Sequence, residues 1–245
     1  MANPLAVAGI LGRDREMSLL EEASDAVRRG QVRTVLVGGE AGIGKTRLIR
    51  EFVQATTGQV LWGGCLPMGG QGIPYLPLID ILRSLDPSDQ RSLPKALAAL
   101  LVHDTGDAVS TSRPHFFQAV ADYLGERSED NPLTVVFEDL HWADQSTLDL
   151  IDFLTGILRA GRVLFTGSYR TDDLADDHRL RPMLAEMTRR PFVELIDLEP
   201  LSPQDALVLV SGLLEGSDAT AEQAMSMVQK ANGNPFFIEE LAAAG

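Results

Sequence analysis

The sequence predicts an α/β fold: a parallel sheet between two layers of helices, followed by a small all-helical segment. Three observations carry that expectation. Short, continuously apolar runs, such as Leu133-Thr134-Val135-Val136-Phe137 and Val163-Leu164-Phe165, alternate with longer stretches whose apolar residues recur at helical spacing. Such runs suit parallel strands buried on both faces. Another of them, Thr34-Val35-Leu36-Val37, leads directly into a glycine-rich turn and the helix-like Arg47-Leu48-Ile49-Arg50-Glu51-Phe52. After Leu201 the strand patterns stop and only helical ones remain.

Taken in order, Arg15–Arg29 places Met17, Leu19, Leu20, Ala23, Ala26 and Val27 mostly on one helical face, and Gly30 ends that helix. The first strand, Arg33–Val37, precedes the glycine turn and a helix over Lys45–Ala55. A second strand follows at Gln59–Cys65, and the Gly/Pro-rich stretch Pro67–Pro77 reads as a loop. Helices are expected near Leu78–Leu85, Lys95–Val102 and Pro114–Gly125, the last with Phe116, Phe117, Val120, Tyr123 and Leu124 as its stripe. The strand Leu133–Phe137 ends in Glu138-Asp139. Helix Ser146–Leu158, strand Val163–Ser168, helix Arg181–Thr188 and strand Phe192–Leu198 complete the alternation, which implies right-handed crossovers. Ser202 is a good N-cap with Pro203 at the first helical position, and helices follow near Gln204–Leu214, Thr220–Ala231 and Pro235–Ala244. The expected division is a core over residues 1–200 and a helical segment over 201–245.

Gly39-Glu40-Ala41-Gly42-Ile43-Gly44-Lys45-Thr46 fits G-x-x-x-x-G-K-[ST] at each fixed position. A strand feeding a glycine turn and then a helix N-terminus points several backbone N–H groups at one place, which binds anions. Lys45 would reach the β- and γ-phosphates of a nucleotide and the Thr46 hydroxyl would sit on Mg²⁺. The loop and the residue after it, Arg47, are therefore candidate nucleotide ligands, and the chain reads as a P-loop NTPase. Hydrolysis also needs a carboxylate for the metal and a group that acts on water. Glu138 and Asp139 stand at the C-terminal end of a buried strand, where an open parallel sheet binds ligands. With Thr46 they are the candidate metal-binding residues. Adjacent residues at a strand end point in different directions, so one would serve the metal and the other the water.

Composition narrows the function. A formal net charge of −14 over 245 residues repels nucleic acid, but it does not oppose a phosphate site built from local N–H groups, Lys45 and a cation. The one cysteine, Cys65, excludes an internal disulfide and reads as a small buried hydrophobe. The four histidines are scattered, and no zinc or EF-hand spacing is present. No apolar run is long enough to span a membrane, and the N-terminus lacks the basic region of a signal peptide. The acidic run at Asp172-Asp173 and Asp176-Asp177 reads as a solvated loop, and Trp142 as a packing residue.

Phe137-Glu138-Asp139-Leu140-His141-Trp142-Ala143-Asp144 resembles the Walker B segment of the AAA-like ATPase domain in large LuxR-type bacterial transcription regulators, members of the STAND class of signalling NTPases. Four more segments resemble that family's motifs in the same order. Leu11-Gly12-Arg13-Asp14-Arg15-Glu16 is similar to its entry motif, and Gly38–Leu48 to its Walker A. Leu198-Glu199-Pro200-Leu201-Ser202 is similar to its hinge, and Gly233–Leu241 to the GxP motif of its helical lid. The resemblance implies an ASCE-type, three-layer core with a strand inserted between the phosphate-loop strand and the Walker B strand. It implies ATP or ADP with Mg²⁺ as the ligands. Gly12 and Arg13 would lie near the adenine, and Pro235 would pack by the base from the lid. Arg170 would occupy the sensor position and, with Lys45, Glu138 and Asp139, form the catalytic set. Two residues keep a second reading: Arg170 as a surface arginine at a strand end, and Pro235 as the start of a helix capped by Asn234.

One departure stands out. The family pattern places Asp before Glu, and this chain has Glu138 before Asp139. By alignment Glu138 takes the metal and Asp139 the water; by chemistry the reverse is tenable. The shorter Asp139 puts fast turnover in doubt. Arg179, Arg181, Arg189 and Arg190 are arginine-finger candidates by location only, and surface pairing suits them better. The implied function is a cytoplasmic, slowly hydrolysing ATP switch in a transcription regulator. Its helical repeats and helix-turn-helix would lie elsewhere in a longer polypeptide, with nucleotide-dependent self-association open to it. The alternatives are a small-molecule kinase, whose acceptor pocket would use the Pro67–Pro77 loop, and a scaffold holding nucleotide structurally.

Overall fold

The computed structural model describes residues 10–67, 72–102, 112–158, 160–215 and 220–244. Five strands form one parallel sheet: β1 (Arg33–Gly39), β2 (Gln59–Gly64), β3 (Leu133–Glu138), β4 (Val163–Ser168) and β5 (Val193–Leu198). Their order is β2-β3-β4-β1-β5, so β4 is inserted between β1 and β3. The register sets Val37 of β1 beside Ser168 of β4, and Phe137 of β3 beside Gly167. The loops after β1, β3 and β4 therefore emerge together at one edge of the sheet.

Period-two alternation sends neighbouring side chains to opposite layers. In β4, Val163 and Phe165 enter one apolar cluster and Leu164 the other; in β3, Val135 and Phe137 enter the first and Val136 the second. The second cluster is closed by α1 (Asp14–Arg28) and α2 (Lys45–Ala55) through Leu20, Val27, Leu48, Ile49 and Phe52. The first is closed by α3 (Leu76–Ser84), α5 (Lys95–Val102), α6 (Arg113–Arg127), α7 (Gln145–Ile157) and α8 (Leu180–Met187). Phe137 and Phe165 stack inside it, centroids 6.4 Å apart. Cys65 is buried there too, and burial pushes its thiol pKa up to about 12, consistent with a packing role.

Three further helices, α9 (Pro203–Leu213), α10 (Ala221–Ala231) and α11 (Pro235–Ala244), share a third cluster built on Leu201, Ala206, Val210, Val228 and Ile238. The Ser202 hydroxyl caps α9 by accepting from the Asp205 N–H at 3.1 Å. Thr220 and Gln223 form a capping box that opens α10.

Most boundaries lie within a residue or two of the sequence expectation, and three departures have a local cause. The helix expected from Ser146 starts at Gln145, because Asp144 accepts from the N–H groups of Ser146 and Thr147. A short helix, α4 (Pro87–Arg91), opens on the Asp86-Pro87 step and was not anticipated. Helix α3 begins at Leu76, inside the stretch read as a loop, of which residues 68–71 lie outside the described residues. That early start is possible because α3 lies against a bare strand position. A Cβ on Gly63 of β2 would sit 2.0 Å from the Pro77 carbonyl oxygen.

Gly63→Ala should therefore lower stability by about 1–3 kcal/mol, the range for forced overpacking. Urea unfolding of the variant would measure it, and an unchanged midpoint would refute the close approach.

Candidate functional site

The loop after β1 turns through Gly42 and Gly44, at φ 78° and 104°, before α2 starts at Lys45. Those left-handed values suit glycine. The N–H groups of Lys45 and Thr46 open the helix, ahead of any helical carbonyl that could accept from them. The Lys45 ammonium donates to the carbonyls of Gly39 at 2.8 Å and Glu40 at 2.7 Å. Burial holds its pKa below the ordinary lysine range, helped by Arg170 and opposed by Asp172, Asp139 and Asp173.

Glu138 and Asp139 diverge, as expected at a strand end. Thr46 Oγ1 donates to Glu138 Oε1, and Trp62 Nε1 of β2 donates to Glu138 Oε2 at 3.0 Å. The next residue turns away: Asp139 has φ 58°, and its N–H donates to Ser168 Oγ at 3.0 Å. Asp139 lines a cleft of about 560 Å³ that Lys45, Thr46, Arg47, Arg170 and Pro235 also line. Burial raises its carboxyl pKa, Glu138 adds to the rise, and Arg170 and Lys45 oppose it.

Arg170 follows β4. Its guanidinium lies 5.1 Å over the Trp142 ring and 3.5 Å from the Asp173 carboxylate. Its backbone N–H donates to His141 Nδ1 at 3.3 Å, joining the ends of β3 and β4. The His141 ring is buried, with Nε2 3.5 Å from Asp173 Oδ2. The neighbouring His178 donates from Nε2 to the His141 carbonyl at 3.0 Å. Burial lowers the His141 pKa to about 4; Arg170, Lys45 and His178 add to this, and Asp173 opposes it.

Pro235 joins the phosphate-loop cleft to a second cavity, apolar and about 230 Å³, lined by Ile10, Leu11, Ile43, Leu209 and Leu213 together with Arg13, Gly44 and Arg47. Arg13 is buried, and its guanidinium donates to the Ile43 carbonyl at 3.2 Å. Gly12 lies one residue away against α9, where a Cβ would stand 2.7 Å from Asp205 Oδ2. Glu40 is exposed and contributes its carbonyl to Lys45. The structure thus brings Lys45, Thr46, Arg47, Asp139, Arg170 and Pro235 onto one cleft, with Glu138 behind Thr46. Three contributors went unread in the sequence: Trp62, Ser168 and the acceptor Asp172, whose carboxylate is 3.5 Å from the Ala41 N–H. The expected solvated acidic loop is in part a contact loop. Arg181, Arg189 and Arg190 pair with Asp176, Glu186 and Asp152, in line with surface pairing.

The model of the AAA ATPase domain family matches residues 10–166. The chain belongs to that family. Its shared span contains the phosphate loop, Glu138 and Asp139, so this AAA ATPase domain is a nucleotide-binding module of the P-loop type. An uncharacterized protein of Rhizobium meliloti (strain 1021) is 24% identical over 268 aligned positions, which cover 95% of this chain and 24% of that protein's length. A Walker-type ATPase of Pyrococcus abyssi superposes with a TM-score of 0.62 at 14% identity, over 94% of this chain and 66% of that one. A signal transduction ATPase with numerous domains (STAND) and a tetratricopeptide repeat sensor, from Pyrococcus horikoshii, gives 0.52 at 16%, over 94% and 29%. At these identities the likeness is one of fold. The chain spans only part of each relative.

The residues of this AAA ATPase domain suit a nucleoside triphosphate with its cation. Left-handed glycines open the loop onto the cleft, and a Cβ at Gly44 would meet nothing within 4 Å. Among the described residues no group of three His, Cys, Asp or Glu gathers as a metal cage. A hydroxyl beside one carboxylate, as at Thr46 and Glu138, is the donor set of Mg²⁺ completed by phosphate and water. Among the described residues no helix is long and apolar enough to cross a membrane.

His141 should also mark the acid limit of the fold. Its folded pKa near 4 lies below the free value of 6.5, so the unfolded chain binds the proton first. The stability this contributes is present above pH 6.5 and lost as pH falls towards 4, by about 2 kcal/mol at pH 5. In His141→Asn, whose Oδ1 can accept from the Arg170 N–H, the loss measured by urea unfolding between pH 7 and pH 5 should shrink by that amount.

Proposed function

We propose that this domain binds Mg-ATP between the sheet edge and a helical lid, and hydrolyses it slowly as the switch of a bacterial transcription regulator. The observation that carries this is the pairing of two adjoining cavities. One is apolar and sized for a base, the other holds Lys45, Thr46, Asp139 and Arg170, and both are lined by Gly44, Arg47 and Pro235. In this reading Arg13 and Pro235 border the base, and Gly12 lets the entry segment lie against α9. The loop N–H groups and Lys45 hold the β- and γ-phosphates.

Thr46 and Glu138 would hold the cation, which when bound would offset charge on the phosphates. Trp62 fixes the second Glu138 oxygen, so Glu138 serves the metal and Asp139 is left to accept a proton from water. Burial and the neighbouring Glu138 make Asp139 a better base. Lys45 and Arg170 face the charge that develops on the transferred group. Slow turnover follows from the short reach of Asp139 and from an Arg170 already engaged by Trp142 and Asp173.

The third apolar cluster supports a division into a core over 1–200 and a lid over 201–245. ATP and ADP would then bind two core–lid arrangements with different affinity, the condition for any nucleotide switch. The five motifs that resemble those of LuxR-type regulators and the fold of the STAND neighbour support a signalling role in the cytoplasm. The acidic charge opposes DNA contact by this domain, so in this proposal that contact falls to other parts of a longer polypeptide. Nucleotide-dependent self-association belongs to the same proposal.

Lys45→Ala should abolish ATP binding or turnover, measured by fluorescent-nucleotide titration and phosphate release; wild-type values for both would sink the site. Phosphate should appear without any phosphorylated acceptor, and an acceptor product would point to a kinase. Asp139→Asn should keep Mg-ATP affinity and slow hydrolysis by about 10²–10⁴-fold, whereas Glu138→Gln should lose the Mg²⁺ dependence of binding. The opposite pattern would exchange the two roles.

A further inference from the structure

The phosphate loop is gripped from outside by the lid. Asn234, buried between α10 and α11, donates from Nδ2 to the Ala41 carbonyl at 2.9 Å. Its Oδ1 accepts from the Phe236 N–H at 3.1 Å, and that N–H also lies 3.3 Å from the Gly42 carbonyl. One amide side chain thus caps α11 and binds the loop. Only this orientation of the amide satisfies both partners.

Two further features fit. Gly42 passes so close to the lid that a Cβ on it would lie 2.6 Å from Phe236 Cβ and 3.0 Å from Asn234 Oδ1. The bare position at Gly42 therefore serves lid docking as well as the turn. On its other side the Asn234 segment is tied to the hinge, because the Leu201 N–H donates to the Gly233 carbonyl at 2.8 Å. The carbonyls of Ala41 and Gly42 are taken by the lid, while the N–H groups at the start of α2 remain for an anion.

We infer that Asn234 is a positioning residue that fastens the lid to the phosphate loop, so that ordering the loop and docking the lid are a single event. The lid then responds to the loop itself through Ala41 and Gly42, in addition to any contact with the base at Pro235. The effect on affinity rests on the nucleotide reading above; the lock does not.

The experiment separates the cap from the lock. Asn234→Asp and Asn234→Ser both keep an oxygen that caps α11. Asp sets a carboxylate against the Ala41 carbonyl, and Ser is too short to reach it. Both variants should stay folded, with a thermal midpoint lowered by no more than the loss of a buried hydrogen bond explains, and lose about 10-fold in ATP affinity, as for one neutral hydrogen bond. Without nucleotide, amide exchange at Ala41–Gly44 should speed up in both while the sheet is unchanged. Wild-type affinity and loop exchange in a folded variant would overturn the lock; if one variant fails to fold, the other decides. Should the wild-type protein not bind ATP, the function above fails, and the nucleotide-free exchange comparison still decides the lock.

Discussion

Strand β4 separates the two strands that carry the chemistry. Neighbouring strands lie about 4.8 Å apart, so the ends of β1 and β3 stand about 10 Å from each other. A contact between the phosphate loop and the β3 carboxylates must span that gap. It is made from both sides: α2 brings Thr46 forward, and Glu138, one methylene longer than an aspartate, reaches the hydroxyl. An aspartate at 138 would fall short by about the length of that methylene. Asp139 is turned aside at φ 58°, held through its N–H by Ser168 at the end of β4, and lines the cleft through that backbone turn, at the cost of a short side chain. The inverted order of the two acids is thus compatible with a working division of labour in this geometry.

The sheet was legible because its strands are continuous apolar runs, and burial on two faces demands them. The insertion of β4 between β1 and β3 came from the motif resemblance, since no local pattern encodes strand order. Helix α3 hid behind Pro77, which reads as a loop residue and here sits in a first helical turn. Helix α4 is five residues long, too short to show a periodic stripe.

At the site, the loop glycines, Lys45, Thr46 and the acidic pair could be read because their spacing is local and chemically demanding. Trp62 and Asn234 could not. Trp62 meets Glu138 across 76 residues and Asn234 meets Ala41 across 193, and each has an ordinary local reading, one as a strand residue and the other as a helix cap. Asp144, part of a motif suggestive of catalysis, turns out to cap α7. A motif conveys which residues lie near the chemistry but not which of them hold the backbone that presents it.

Three cations at the cleft already have partners. Lys45 rests on two carbonyls, Arg170 on Asp173 and the Trp142 ring, and Arg47 lies 3.6 Å from Glu239 of the lid. A polyphosphate entering here would compete with these groups, so its net gain is the difference between two sets of contacts and not the sum of one. A switch requires that this difference itself change between two arrangements of the chain. In the proposed core–lid division Glu239 and Asn234 both belong to the lid, so a polyphosphate that displaced Glu239 from Arg47 would change a contact of the lid as well as one of the cleft.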